Sequence, residues 1–577
     1  MHAFRFSPRP NRAHEIGWHG WSAHSFGVAA RADRPILLHL SAIWCGSCAR
    51  MDETTFSDPD VIALINEHFH PIRVDTDRYP HVQERYMAGG WPTTAFLTPT
   101  GEVLWAGTYV EPAEMRSVGT GVLSAWSERR AEFQLEIERR RRALDAARNR
   151  PSSRGLVRRE AADDVLTAIH ESNDARNGGF GEAPKFPAPS AIELLYLHGA
   201  GGDATSRGMA DGALEGMLAG ELVDRARGGF FRYALEADWT SPPREKLLPV
   251  NAELVRSYAL GARASGRAEW AAVVRAAVAW VDATLGNDDG LWSGSQAADD
   301  AFGPAETDAP AVDGTVYTNW NGAWIAALAD AAGCLREPDW ARVAARGLRT
   351  LLTTMAAPDG TLHHYRPPGG DACMPILALD LLAAGRACIA VAQATGEAVW
   401  LAEAKRLATT LEQRFWAEEG GFHDRIRSSD DVGALRYRDR PFELNAAGAR
   451  FLLDLAHVTG ERKYRALAER VLAALSPQAG RFGVAGADFA IAVAEYFQPP
   501  LRIFVVGEPA AAASLRVAAL GLPQPDRRVW PAPNGTRLGP VEFRTRAPAA
   551  AFVCGPRGVS AEVTEPDRLE EAVRGVS

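Results

Sequence analysis

Two cysteines separated by two residues, in Trp44-Cys45-Gly46-Ser47-Cys48, are the residues of this chain whose types and spacing most directly specify chemistry. A thiolate attacks a disulfide sulfur, and a second thiol within reach resolves the mixed disulfide, so a C-x-x-C pair reads as nucleophile and resolver. The nucleophile must be ionised to attack. A cysteine at a helix N-terminus faces the positive end of the macrodipole and unpaired backbone N–H groups, which favour thiolate over thiol. Lowering a thiol pKa from about 8.5 to about 7 raises the ionised fraction at neutral pH from a few per cent to roughly half. Cys45 is therefore expected to attack and Cys48, within the first helical turn, to resolve. The alternative for such a pair is half of a zinc site. The chain has no second C-x-x-C and no H-x-x-x-H, so neither a metal nor a cofactor is expected.

The flanking residues supply the elements that this chemistry needs. Pro35-Ile-Leu-Leu-His-Leu-Ser-Ala-Ile43 is a short apolar run that reads as a strand entering the motif. Residues 49–69 have helical periodicity and residues 71–75 read as a second strand. Further on, Gly89-Gly90-Trp91-Pro92-Thr93-Thr94 leads into two strand-like runs separated by Thr98-Pro-Thr-Gly101. At this point the chain resembles the thioredoxin superfamily, in which a W-C-G-x-C site faces a cis-proline that precedes a strand. The resemblance implies that Pro92 is that proline, that Trp91 borders Cys45, and that Trp44, Trp91 and Pro92 shape the substrate groove. His39 falls where the superfamily usually places a buried carboxylate. It reads either as a packed core histidine or as a proton shuttle to the resolving cysteine.

Composition bounds the remainder. The chain has 577 residues, 46% of them apolar and 23% charged, with a net charge of -9. That is a globular composition with room for several domains and no overall basic field, so no nucleic-acid partner is expected. Arg139, Arg140, Arg141 and Arg142 are interleaved with Glu128, Glu132, Glu136 and Glu138, which reads as an ion-paired, solvated linker helix. Residues 1–10 hold no apolar leader, and no apolar run reads as long enough to span a bilayer. A cytoplasmic protein without membrane contact is expected. Cys334, Cys373, Cys388 and Cys554 are scattered and read as small hydrophobes.

Beyond residue 161 the pattern changes to amphipathic helices punctuated by glycine turns at Gly178-Gly-Phe180, Gly228-Gly-Phe230, Gly290-Leu-Trp292, Gly360-Thr-Leu362, Gly420-Gly-Phe422 and Gly480-Arg-Phe482. Six turns with two helices per interval predict six helical hairpins closed into an (α/α)6 toroid. The order of blocks resembles the thioredoxin-domain family related to spermatogenesis-associated protein 20. The resemblance is carried by Val74-Asp75, Gly90-Trp-Pro92, Gly107-Thr-Tyr109, Gly178-Gly-Phe-Gly-Glu-Ala-Pro-Lys-Phe-Pro187, Gly228-Gly-Phe-Phe-Arg-Tyr233 and Trp320-Asn-Gly322. It implies a six-hairpin, glycosidase-like toroid. This chain departs from the family at the redox motif, where C-H-W-C-H is usual. It departs again at Pro242-Pro-Arg-Glu-Lys-Leu-Leu-Pro-Val-Asn-Ala252, where a histidine, two aromatics and an aspartate are missing.

The fold expected is thus multidomain: an α/β thioredoxin-like domain over 1–125, a charged helical linker over 126–160, an all-α toroid over 161–500 and a small α/β segment over 501–577. Thiol–disulfide oxidoreduction of a protein disulfide or thiol substrate leads, with the toroid recognising the substrate. A carbohydrate-active hydrolase or epimerase is the alternative, since paired carboxylates in a funnel can act as acid and base on a sugar. Its candidate residues are Arg232, Tyr233, Trp239, Glu245, Trp320, Asn321, Asp380 and Glu443. A non-catalytic protein-binding scaffold is the third reading.

Overall fold

The computed structural model describes residues 4–148, 155–298 and 310–577, which divide into two compact units. The first comprises Met1–Ser152 with two later segments, Ser295–Asp313 and Arg425–Asp439. Its helices are α1 (Ala23–Ala32), α2 (Gly46–Glu53), α3 (Pro59–His68), α4 (Pro80–Tyr86), α5 (Pro112–Glu128) and α6 (Arg130–Arg148). Its strands are β1 (Ile36–Ser41), β2 (His70–Asp75), β3 (Thr93–Leu97) and β4 (Val103–Gly107), in the order β2-β1-β3-β4. β2 runs parallel to β1, and β3 and β4 run antiparallel to their neighbours.

Every residue of β1 is buried, because the sheet is covered on both faces. Successive side chains point to opposite faces. Leu37 joins Met51, Phe56, Ile65 and Met115 on one side, while Ile36, Leu38 and Leu40 join Phe26, Val74 and Val82 on the other. This is the thioredoxin-like region that the motifs predict.

The second core also contains Leu435, which arrives with the segment Arg425–Asp439 and is 2% exposed. Tyr86 fastens that segment: its hydroxyl donates to Gly101 O and accepts from Ala434 N, both at 2.8 Å. Gly433 lies at φ 57°, and a Cβ there would stand 2.4 Å from the Tyr86 hydroxyl, so the close approach requires glycine. The expected boundaries assign 161–500 wholly to the toroid. The structure differs because these long-range contacts draw 295–313 and 425–439 into the N-terminal unit. Within the expected linker, α6 carries the helical ion pairs Arg139–Glu136 and Arg142–Glu138, and Arg129 just before it pairs with Glu132. Residues 149–154 of that linker lie outside the described residues.

The second unit is an (α/α)6 toroid with the C-terminal segment. Helix α7 (Arg159–Glu171) opens it. The inner helices are α8 (Pro189–Ala200), α10 (Leu248–Ser265), α12 (Thr318–Leu335), α14 (Ala378–Thr395), α16 (Phe442–Thr459) and α18 (Ala487–Phe497). The outer ones are α9 (Ala204–Ala219), α11 (Ala268–Thr284), α13 (Pro338–Thr354), α15 (Val399–Phe415), α17 (Arg462–Leu475) and α7 itself. Each inner helix packs on the next, and α18 packs on both α8 and α7, which closes the ring. By length and composition α14 could cross a bilayer, at a mean hydropathy of 1.3, which the sequence reading had not counted. As an inner helix it is 67% buried within the protein.

Five of the glycine turns form the same small device. Asn173–Phe180, Val223–Phe230, Gly286–Trp292, Ala356–Leu362 and Trp416–Phe422 are isolated antiparallel bridges. In three of them the fourth residue of the next inner helix is an asparagine that grips the turn. Asn251 Oδ1 accepts from Phe230 N at 2.8 Å, Asn321 Oδ1 from Trp292 N at 2.9 Å and Asn445 Oδ1 from Phe422 N at 2.6 Å. Each amide also donates to the carbonyl of the same turn residue, at 3.2, 2.8 and 3.0 Å. The sixth turn, Gly480-Arg-Phe482, differs: it lies in a 3₁₀ segment, Ser476–Gly486, and Phe482 stacks on Phe442 at 3.8 Å.

The C-terminal segment is a small α/β sheet of strands Arg528–Ala532, Arg502–Gly507, Ala549–Gly555 and Gly558–Val559 in that order, with α19 (Ala513–Leu520) and α20 (Leu569–Val576). Its Arg528 reaches into the ring, to Asp454 at 2.9 Å and Glu495 at 2.6 Å.

Asn251→Ala would leave the buried Phe230 N–H without its partner, which costs about 1–3 kcal/mol. Urea denaturation should show that loss, and an unchanged midpoint would mean that the glycines alone hold the turns.

Candidate functional site

Strand β1 ends at Ser41, and Ala42 to Trp44 deliver the chain to the start of α2. Cys45 is the N-cap residue of α2, with extended backbone at φ −83°, ψ 109°. Its sulfur accepts a hydrogen bond from Cys48 N at 3.1 Å, in the manner of a capping serine. That contact gives one of the unpaired N–H groups of the helix terminus an acceptor. Both cysteines are free thiols, Cys45 6% and Cys48 3% exposed. Burial, with the hydrogen bond and charge of Cys45, pushes the Cys48 thiol well above its ordinary range, and the nearby Arg73 pulls the other way.

Trp44, which precedes Cys45 in the chain, packs against Trp91. Trp44 and Trp91 meet edge to face, their ring centres 5.2 Å apart. Trp44 Nε1 donates to Asp77 Oδ2 at 2.9 Å and Trp91 Nε1 to Thr76 Oγ1 at 3.0 Å. The Trp91–Pro92 peptide is cis. Asp77 is a residue that the sequence reading missed. Burial and the adjacent negative charges of Asp75 and Asp313 hold its carboxyl well above the usual carboxylate range. Arg5 bridges Asp75 and Asp313, the latter from the segment Ser295–Asp313. The signal for Asp77 was its position two residues beyond the end of β2; Asp313 is too distant in sequence to leave one.

Beneath the cysteines lies a buried ion pair. Arg73 of β2 makes two bonds to Asp52 of α2, at 2.7 and 2.9 Å, and Ser7 N donates to the same carboxylate at 3.0 Å. Asp52 is 1% exposed. His39, directly opposite Arg73 in the β1–β2 register, is fully buried, and neither ring nitrogen has a hydrogen-bond partner. It packs on Phe56 and Trp18. Burial and the charge of Arg73 push its pKa well down, which keeps the ring neutral. Of the two readings for His39, the structure supports the packed core histidine.

Most of the toroid candidates hold the scaffold rather than line a funnel. Glu245 is buried against Arg232, at 2.9 Å, so neither is an open pocket residue. Arg232 also lies over the Tyr233 ring, which stacks on Phe186. Trp239 is 1% exposed and donates to Gly178 O at 3.1 Å, which makes it a core filler. Asn321 is one of the turn-gripping asparagines. Asp380 is fully buried, bonded to His364 Nδ1 at 3.0 Å and to Asn319 N at 3.1 Å, so it cannot reach a ligand. Trp320 is half-buried against Tyr317.

Glu443 alone among the carboxylate candidates is exposed, as the second residue of inner helix α16. Its charge is felt by residues of other inner helices that the sequence reading missed. Glu253 of α10 is also exposed, yet crowding by protein and the charges of Asp488 and Glu443 raise its carboxyl to about 7. Arg386 of α14 responds to the same Asp488. The side chains of Glu253, Glu443 and Arg386 make no hydrogen bond or ion pair among the described residues. Deeper in the ring, charges are paired: Arg450 bonds Glu193 and Asp488, and Arg256 bonds Glu193 and Asp330. These residues recur at helical spacing on inner helices, but in one dimension nothing marks which face of each helix points inward. Among the described residues no three His, Cys, Asp or Glu side chains gather as a metal site would require.

Comparison with known proteins places these features. Residues 9–145 match the family described as "Thioredox_DsbH: Protein of unknown function, DUF255". Spermatogenesis-associated protein 20 of Homo sapiens is 27% identical over 328 residues, 52% of this chain and 41% of that protein. Thioredoxin-1 of Drosophila melanogaster is 30% identical over 70 residues, 12% of this chain and 63% of that one. Among solved structures, a sugar epimerase from a ruminal bacterium superposes with a TM-score of 0.46 at 14% identity, covering 55% of this chain and 84% of that chain. The match spans about two fifths of the length of the human relative. Over about half its length the chain is similar to spermatogenesis-associated protein 20, and it joins a thioredoxin-like region and a six-hairpin toroid in one polypeptide.

Proposed function

We propose that this protein is a thiol–disulfide oxidoreductase acting on protein disulfides. The observation that carries the reading is Cys45 at the N-cap of α2, its sulfur accepting the Cys48 N–H, together with the Trp44–Trp91 contact and the cis Trp91–Pro92 peptide. In the forward reaction the Cys45 thiolate attacks a substrate disulfide. That S–S bond breaks, and one substrate sulfur leaves as a thiolate that takes up a proton. Cys48 then loses its proton and attacks Cys45 Sγ, and the second substrate thiolate departs. The substrate gains two electrons and the protein is left with a Cys45–Cys48 disulfide, which an external dithiol or glutathione must reduce.

The raised pKa of Cys48 suits a resolver, which stays protonated until the mixed disulfide has formed. The fixed charge of Arg73 favours its thiolate at that later step. At 6% exposure, Cys45 meets a protein substrate only when its surroundings open, so exchange is gated by local motion. A reducing, cytoplasmic setting fits a chain in which only Cys45 and Cys48 are close in sequence and the other four cysteines are scattered.

Equilibration with glutathione buffers should yield a reversible two-electron couple. Cys45→Ser should abolish exchange, and Cys48→Ser should trap a mixed disulfide on Cys45. Retention of exchange in Cys45→Ser, or no disulfide across the whole glutathione series, would rule the function out.

A second reading, a carbohydrate-binding or carbohydrate-converting toroid, is favoured by Glu253 and Glu443 together with Arg386. Carboxyls without protein partners can bond sugar hydroxyls, and one that titrates near neutrality can exchange a proton with them. The shift also has a stability consequence. The folded chain holds the Glu253 proton up to about 7 while the unfolded chain releases it near the ordinary value of 4.5. Its contribution to stability is therefore present below 4.5 and lost as pH rises to 7. Glu253→Gln should flatten the dependence of melting temperature on pH in that window and raise it at pH 8. Parallel profiles for variant and parent would remove the basis of this reading.

A further inference from the structure

Helix α13 carries Arg342, Arg346 and Arg349 at intervals of four and three residues, which sets all three on one face. That face walls a cavity of about 710 Å³ within the second unit. The end of α12 with Arg336, the turn between α14 and α15, and α19 with Arg516 complete it. Five arginines thus line one concavity against only Asp339 and Glu397. Three have partners: Arg342 pairs with Asp339, Arg349 lies 5.5 Å over the Trp400 ring, and Arg516 donates to Ala394 O and Pro509 O at 3.2 and 3.3 Å. The side chains of Arg336 and Arg346 make no hydrogen bond or ion pair among the described residues. Between the guanidinium groups the lining is apolar, from Ala341, Ala345, Val517 and Leu520.

We infer that this cavity binds a small phosphorylated molecule with an apolar or aromatic body, of the nucleotide class. Its volume lies within the ~300–1,000 Å³ typical of small-molecule sites, and its walls converge from four elements, which suits a compact ligand better than an extended peptide. Guanidinium groups match phosphate oxygens with paired N–H donors and also stack on flat rings. Arg346 and Arg336 supply unspent donors, Arg516 is preset by its two carbonyls, and the apolar lining receives the body. The site involves neither the cysteines nor Glu253, so it stands apart from both readings above.

Calorimetric titration of the intact protein with ATP, adenosine and inorganic triphosphate tests this. ATP should bind saturably, adenosine and triphosphate should each bind at least about tenfold more weakly, and affinity for ATP should fall as salt rises. Arg346→Ala and Arg336→Ala should each weaken ATP at least about tenfold, while Arg139→Ala, on α6 of the first unit, should leave it unchanged. Both arginines are exposed, so folding is not at stake. Absence of saturable binding, equal affinity for triphosphate alone, or unchanged affinity in both cavity variants would each overturn the assignment.

Discussion

The N-terminal unit depends on a buried ion pair. Arg73 and Asp52 tie strand β2 to helix α2, and α2 is the element that begins with Cys45 and contains Cys48. Two charges withdrawn from water are expensive unless each is fully bonded, and removal of one partner from such a pair typically costs about 3–5 kcal/mol. Here the carboxylate has three donors, and Arg73 has a further acceptor in Arg5 O and the faces of Phe6 and Trp18 around it. The same charge sets the electrostatics of its surroundings: it opposes protonation of His39 and favours the Cys48 thiolate. Where related folds carry a carboxylate on the central strand, this chain carries a neutral imidazole, and the acid sits one helix away.

The toroid is governed by a different constraint, the need to turn the chain sharply at the mouth of each hairpin. A glycine turn leaves backbone groups that water cannot reach, and a buried asparagine at the fourth position of the next helix satisfies two of them at once. Helix α14 departs from the rule. Leu381 occupies that position, and its turn ends in Leu362 rather than an aromatic residue. The adjacent Asp380 bonds His364 instead, so a residue that looks catalytic by type has become part of the frame.

The legible part of the sequence was the part specified locally. The C-x-x-C pair between an apolar strand and a helix, and the glycine turns repeated along the helical half, each declare a backbone shape within a dozen residues. What escaped was set by distance. Glu245 and Asp380 are acidic residues near turns, yet only the folded chain brings Arg232 and His364 to neutralise them. Glu253 and Arg386 sit in inner helices whose inward face is defined by the other helices of the ring. The Gly480 turn repeats the others in composition, but a 3₁₀ run replaces the bridge there.

Leu435 completes the core of the first unit from a position far along the chain, and the polypeptide passes between units at 152/153, 294/295, 313/314, 424/425 and 439/440. The thioredoxin-like region is therefore not a cassette that can be cut out at residue 152. As synthesis proceeds from the N-terminus, Trp21, Phe26 and Tyr86 emerge long before the leucine that seals them, and they wait with apolar surface uncovered while most of the toroid is still being made. Completion of the thiol-bearing unit is thus coupled in time to synthesis of the helical one.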